Sequence, residues 1–279
     1  MSTPEPIDAY LITYFGDESI ALIQWAAEHA EHFKKNFKKR FKKLSILSVD
    51  TGFSAPSWFE RSQAVKQWAT QDLGFEFHIL KPEASFPELV EIQGKFPSRQ
   101  FQWCANFLKA LPLLDYLDTV DPTALGIILL AKRRTASRLQ QDLPEYLYDH
   151  PKWGDRTVWH PLFLKTQADI NFLLQKTPFK PLGHRSLECD PCIHSISQLE
   201  DLLRLDLSVL ERTALLEKKL NQTFFPEPKF YQNNPTLQEA LSQPNLDLFL
   251  KSEPNFFQNN HSPMELFDLG CGNTFGCGL

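Results

Sequence analysis

The chain has 279 residues and a formal net charge of −5, a balance that argues against a general binder of polyanions; its 42% hydrophobic content suffices for a sizeable core. No apolar run approaches the ~20 residues that span a bilayer, and the polar, proline-bearing stretch from Met1 to Asp8 has no signal-peptide pattern. A cytoplasmic location with no membrane partner is expected, where the five cysteines stay reduced.

Residues 9–14 read as a first strand, which gives way at Tyr14-Phe15-Gly16-Asp17-Glu18-Ser19 to a helical pattern over residues 19–41. A strand-to-helix turn points backbone amides and the positive end of a helix dipole at whatever lies above, which suits phosphate, sulfate or carboxylate. Near the end of that helical pattern Phe33, Phe37 and Phe41 recur every four residues among basic side chains from Lys34 to Lys43. This face is expected to dock its phenylalanines on a sheet, and an anionic partner such as RNA or an acidic electron donor is the alternative.

A second strand over residues 44–49 ends in Asp50-Thr51-Gly52, where an aspartate can accept from a ribose hydroxyl or an adenine amino group. Helical patterns over residues 55–73, 99–117 and 167–175 alternate with strands over residues 75–80 and 125–130, and a basic loop occupies residues 131–138. Strands apolar throughout, alternating with helices, predict an α/β fold: a parallel twisted sheet with helices on both faces. Ligands of such sheets bind beyond the carboxyl ends of the strands, where residues 14–19, 50–52 and 131–138 would gather.

The cysteines carry the chemistry. Cys104 follows Trp103, Cys189 and Cys192 enclose Asp190-Pro191, and Cys271 and Cys277 lie in a glycine-rich tail. A Cys-x-x-Cys pair turns both sulfurs toward one point, and by spacing alone a zinc site, a redox disulfide and an iron-sulfur cluster all stay open. A leucine-rich helical pattern over residues 196–222 and a Pro-, Asn-, Gln- and Phe-rich arm over residues 226–263 complete the chain.

These pieces, in this order, resemble the phosphoadenosine-phosphosulfate reductase family of the PP-loop (adenine nucleotide alpha hydrolase-like) superfamily. Tyr14 to Ser19 is similar to the family's Ser-Phe-Gly-x-Glu-Asp loop, and Asp50-Thr51-Gly52 to its Asp-Thr-Gly. Trp103-Cys104 with Lys109, Pro112 and Leu113 resembles Trp-Cys-x-x-x-Leu-Lys-x-x-Pro, and the run ending in Cys189-Asp190-Pro191-Cys192 resembles the Cys-x-Pro-Cys of cluster-bearing members. Gly276-Cys277-Gly278-Leu279 is similar to the family's C-terminal Glu-Cys-Gly-Leu-His.

The resemblance implies a nucleotide-binding body over residues 1–195 and a helical, cysteine-bearing extension over residues 196–279. It implies a [4Fe-4S] cluster, with zinc as the alternative, on Cys104, Cys189 and Cys192, with Cys271 as candidate fourth ligand. It further implies an adenine nucleotide held by Tyr14, Phe15, Gly16, Asp17, Glu18, Ser19, Asp50, Thr51 and Gly52, with Lys132, Arg134, Arg138, His184 and Arg185 as cationic groups. Cys277 would be the nucleophile in reduction of adenylyl sulfate or 3'-phosphoadenylyl sulfate to sulfite, with thioredoxin or glutaredoxin as electron donor. Two further readings stand beside this one: an ATP-dependent, iron-sulfur-dependent sulfur transferase acting on nucleic acid, and an inactive nucleotide- or cluster-binding relative. Tyr14 stands where the family has a small residue, and Asp17 and Glu18 add negative charge to the loop.

Overall fold

The computed structural model describes residues 7–32, 41–98, 101–136, 138–182, 187–193 and 206–224. Six strands form one sheet in the order β3-β2-β1-β4-β6-β5. Strands β1 (Ile7–Ile12), β2 (Phe41–Val49), β3 (Glu76–Leu80), β4 (Ile127–Leu129) and β6 (Arg156–Trp159) run parallel, and β5 (Tyr146–His150) pairs antiparallel with β6 at the edge.

Alternation along the strands feeds two cores, because successive side chains point to opposite faces. On one face Leu11, Ile46, Ile127 and Leu129 pack with α1 (Asp17–His32), α2 (Trp58–Gln67) and α6 (Gln167–Leu174). On the other, Tyr10, Ile12, Leu47, Val49 and Ile128 pack with Leu113 and Leu117 of α5 (Leu111–Val120). Helices therefore cover both faces of a mostly parallel sheet, which is the architecture the alternating pattern predicts. Among the described residues no helix is long and apolar enough to cross a membrane.

Several boundaries differ from the sequence reading. Helix α1 is assigned to Asp17–His32 and Phe41 already begins β2, so Phe41 does not share a helical face with Phe33 and Phe37. The i, i+4 phenylalanine spacing loses there to a ladder: Phe41 is in register with Ile7, and β2 is an interior strand with partners on both sides. The basic stretch for which an anionic partner such as RNA is the alternative reading lies outside the described residues from 34 to 40, while Lys43 ion-pairs with Glu76 of the neighbouring strand at 2.5 Å.

The helical pattern over residues 99–117 resolves into α4 (Trp103–Ala105), a π-helical stretch Asn106–Ala110, and α5. A second π-helical stretch, Trp68–Asp72, continues α2. Helix α3 (Phe86–Gln93), which the periodicity did not announce, has a capping box between Ser85 and Glu88 and ends at Gly94 in the left-handed region. Within the leucine-rich pattern, α7 (Leu207–Leu220) places Leu216 against Phe86, Leu89, Val90 and Trp103, so this helix packs on the body.

Candidate functional site

Strand β1 is followed by Thr13, Tyr14 and Phe15, all buried, at the carboxyl edge of the sheet. Phe15 has φ +63°, a costly conformation for a bulky side chain. It is held from both sides: its N–H donates to Thr13 Oγ1 at 3.1 Å and its carbonyl accepts from Arg61 Nε at 2.8 Å. Ser19 Oγ donates to the Gly16 carbonyl at 3.0 Å.

The two acidic residues of the turn face the protein's own partners. The Asp17 carboxylate accepts from the Leu182 N–H at 3.0 Å, with Arg61 Nη2 at 3.8 Å. Glu18 pairs with buried Arg133, whose guanidinium also donates to Thr135 Oγ1 and Gln167 Oε1, each at 2.9 Å. Their charge is thereby matched within the fold.

The neighbouring strand end adds Asp50, Thr51 and Gly52. Gly52 sits at φ +69° and donates its N–H to Asp50 Oδ1 at 3.0 Å. A Cβ at this position would come 2.7 Å from Ser85 Cβ, so glycine is required both by backbone conformation and by space. Thr51 is fully buried; its hydroxyl donates to the Glu188 carbonyl and accepts from Cys189 Sγ at 3.8 Å.

The segment carrying Cys189 lies alongside residues 53–55. Ala55 N–H donates to the Leu187 carbonyl at 2.7 Å, Asp190 N–H to the Phe53 carbonyl at 2.8 Å, and Phe53 and Cys189 form a parallel bridge. This pairing sets Cys189 and Cys192 across from Cys104 of α4. All three cysteines, none in a disulfide, line one cleft together with Phe86, Pro97, Lys109 and Phe224.

Beneath the thiols lies a buried ion pair. Lys109 Nζ donates to Glu188 Oε1 at 2.8 Å and stands 4.5 Å from the centroid of the Tyr14 ring. Burial alone would lower the Lys109 pKa, but Glu188, Cys189 and Tyr14 together hold it above the ordinary lysine range. Burial pushes the Cys104 thiol up to about 12 and raises that of Cys189, with Lys109 opposing both shifts. Burial likewise raises the Tyr14 phenol. Burial thus disfavours the thiolate forms of Cys104 and Cys189 beside the buried Lys109 cation. A soft metal that displaced their protons would gain thiolate ligands in apolar surroundings.

That donor set suits a thiolate-bound iron-sulfur cluster or zinc. Among the described residues, however, no group of three or more His, Cys, Asp or Glu is arranged around a single ion. Cys271, the candidate fourth ligand, and Cys277, the candidate nucleophile, lie outside the described residues, as do His184 and Arg185.

The basic loop disperses its cations. Lys132 is half-buried, and burial together with Lys152 lowers its pKa to about 8. Arg134 is exposed, donates to the Leu143 carbonyl at 2.7 Å and stacks on Phe163, while Arg138 is exposed in a single 3-10 turn. Glu188 and Arg212 escaped the sequence reading. The one available signal was a carboxylate directly before a Cys-x-x-Cys in an apolar neighbourhood, and the complementary Lys109 is 79 residues away.

No family model and no curated protein matches the chain. Solved structures similar in fold include the phosphoadenylyl-sulfate (PAPS) reductase from Candida auris in its phosphate complex, at 16% identity and TM-score 0.45, covering 64% of this chain and 80% of that one. They also include the U34-tRNA thiolase NcsA from Methanococcus maripaludis with its [4Fe-4S] cluster, at 15% identity and TM-score 0.44, covering 78% and 69%. The FMN adenylyltransferase of Candida glabrata in complex with FMN and an ATP analog is similar at 12% identity and TM-score 0.40, covering 62% of this chain but only 48% of that one.

Proposed function

We propose that this protein is an enzyme of sulfur chemistry on an adenine nucleotide, with the nucleotide at the carboxyl rim of the sheet and a thiol centre of Cys104, Cys189 and Cys192 beside it. The observation that carries the reading is the cleft itself: thiols from α4 and from a loop some eighty residues later line one apolar cavity, over a buried lysine. Thr51 joins the two halves, because it follows the strand end at Asp50 and its hydroxyl meets both Cys189 and the Glu188 carbonyl.

The reaction that best suits such a centre is reduction of adenylyl sulfate or 3'-phosphoadenylyl sulfate to sulfite. The Cys277 thiolate attacks the sulfonate sulfur, an S–S bond forms, the S–O bond to the phosphate breaks, and the adenosine nucleotide leaves with that electron pair. The product is S-sulfo-cysteine. A dithiol donor of the thioredoxin or glutaredoxin class then attacks the Cys277 sulfur and sulfite leaves; its second thiol resolves the mixed disulfide, returning the Cys277 thiol and oxidised donor. Lys132, Arg134, Arg138, His184 and Arg185 are the cations proposed to neutralise phosphate and sulfonate, and residues 14–19 with Asp50, Thr51 and Gly52 are proposed to seat the nucleotide. A [4Fe-4S] cluster on Cys104, Cys189, Cys192 and Cys271, when bound, would supply a polarising centre beside the sulfonate.

Trp103 rather than a second cysteine precedes Cys104, and this sequence feature favours a second reading. A centre with one ligand position open suits ATP-dependent sulfur transfer to a nucleic acid. Anaerobic purification with iron, sulfide and zinc analysis, followed by incubation with sulfur-labelled sulfonucleotide, separates these readings. About four irons per chain and a labelled adduct at Cys277, lost in Cys277→Ser, are expected. Pyrophosphate released from ATP, with no adduct, moves the assignment to sulfur transfer. Zinc alone, with neither adduct nor pyrophosphate, leaves a structural metal site and overturns the proposal.

A further inference from the structure

Helix α7 meets the surroundings of the cysteine cleft at its middle and just past its end. Near the middle, Arg212 stacks its guanidinium on the Phe53 ring, 4.4 Å from the centroid. Its Nη2 donates to the Ser54 carbonyl at 2.7 Å and to the Asp190 carbonyl at 2.5 Å, with the Phe53 carbonyl at 3.4 Å. These carbonyls belong to the two chain segments joined by the Phe53–Cys189 bridge. Just past its end, Phe224 lines the cleft and packs edge-on to Phe86 and Phe96.

The C-terminal part of the helix and the residues just beyond it are anchored independently. Leu216 is buried among α3 side chains, Lys219 ion-pairs with Glu91, and Gln222 Nε2 donates to the Gly94 carbonyl at 3.1 Å. The helix is thus fixed on α3 before Arg212 adds anything, and the contacts of Arg212 are spent on the loop rather than on seating the helix. Charge-assisted hydrogen bonds to carbonyls are among the stronger polar contacts, and a guanidinium offers them in a fixed plane.

We propose that Arg212 is a positioning residue for the Cys189–Cys192 loop: by holding the carbonyls of Ser54 and Asp190 on one guanidinium nitrogen, it fixes the distance between that loop and the segment after Gly52, and so the placement of the two thiols opposite Cys104. The inference rests on the thiol-centre reading for its functional meaning. Its geometric content stands separately.

The test is amide hydrogen exchange on the full chain in wild type, Arg212→Ala and Arg212→Lys. In Arg212→Ala, exchange within residues 53–55 and 187–193 is expected to accelerate about tenfold, the size of one lost charge-assisted hydrogen bond, while β1 and β4 keep their protection. Arg212→Lys, which retains a cationic donor, is expected to recover part of the protection. With cobalt(II) as probe, the thiolate-to-cobalt absorption of the wild type is expected to weaken in Arg212→Ala and to be unchanged in Leu215→Ala, a control on the exposed side of the same helix. Unchanged loop exchange in Arg212→Ala, or equal loss of protection in the loop and in β1 and β4, overturns the proposal. Should Arg212→Ala not fold, Arg212→Gln takes its place under the same two criteria. Failure of the wild type to bind cobalt through thiolates counts against the thiol centre, and the exchange result then decides Arg212 by itself.

Discussion

The two ends of the sheet each bury an ion pair, and the two pairs are built differently. At the amino ends of β4 and β6, Arg156 is 1% exposed and donates through all three nitrogens: Nε to Asp121 Oδ2 at 2.9 Å, Nη1 to Asp118 Oδ1 at 3.1 Å, and Nη2 to the Asp121 carbonyl at 2.6 Å. Asp121 in turn accepts from the Leu125 and Gly126 amides. This knot of hard oxygen acceptors ties the loop before β4 to β6. At the carboxyl ends, Lys109 meets one carboxylate and an aromatic face, with the Cys189 thiol lining the same cleft. Both arrangements carry the desolvation cost of a buried charge. Only the second puts that charge beside thiols, groups able to react or to bind a soft ligand.

Breaking either pair by removing the cation should cost most. Arg156→Met and Lys109→Met are each expected to destabilise the fold by about 3–5 kcal/mol, since each leaves a buried carboxylate unmatched, as read by urea denaturation. Lys109→Met with Glu188→Gln should recover much of the loss. The pairs part company in a second readout: thiol alkylation at Cys189 should change in Lys109→Met and stay at the wild-type rate in Arg156→Met.

Acid should weaken the carboxyl end next. Burial holds the His160 imidazole down at about 4, against the Pro144 carbonyl that accepts from it. Between its ordinary value near 6.5 and about 4, the unfolded chain takes up a proton that the folded chain refuses. Stability therefore falls as pH drops through that window, by about 3 kcal/mol in the limit. His160→Gln should flatten the pH dependence of urea midpoints there.

Two glycines sharpen the contrast at smaller cost. A Cβ at Gly126 would lie 2.5 Å from the Tyr10 ring and 2.7 Å from Asp121 Oδ2, and one at Gly52 would strike Ser85 at a positive φ. Each alanine substitution is expected to lose about 1–3 kcal/mol. Only Gly52→Ala, next to the threonine that touches Cys189, should also alter cysteine reactivity.

The smallest effect is kinetic. With its thiol held near 12, Cys104 should be alkylated slowly at pH 8, with a rate still climbing above pH 10 and no plateau at an ordinary thiol pKa. A plateau near pH 8.5 would mean that the cleft is open to water and the contrast with the other end is overstated.

Much of this organisation was legible in residue order. The interior strands announced themselves because β1, β2 and β4 carry mostly apolar stretches, such as Ala9 to Ile12 and Ile127 to Leu129, buried on both faces of the sheet. Two short strands did not: interior β6 has four residues with Arg156 and Thr157 among them, and edge strand β5 is mostly half-exposed, so neither has a periodicity to detect. Helix α3 was within reach, since Ser85, Glu88 and Gly94 carry its start and stop signals. The roles of the charged residues were not, because Glu18 looked like repulsion in an anion loop until Arg133, 115 positions later, was placed against it.

By itself, the order of residues determined the alternating strands and helices, the parallel sheet they imply and the presence of a Cys-x-x-Cys, since these depend on neighbours within a few positions. Tertiary structure decided which charges cancel, that Phe41 pairs in β2, and that Cys104 shares a cleft with Cys189 and Cys192. Such pairings join groups tens of residues apart, and their energies depend on burial and distance, neither of which exists until the chain has closed on itself.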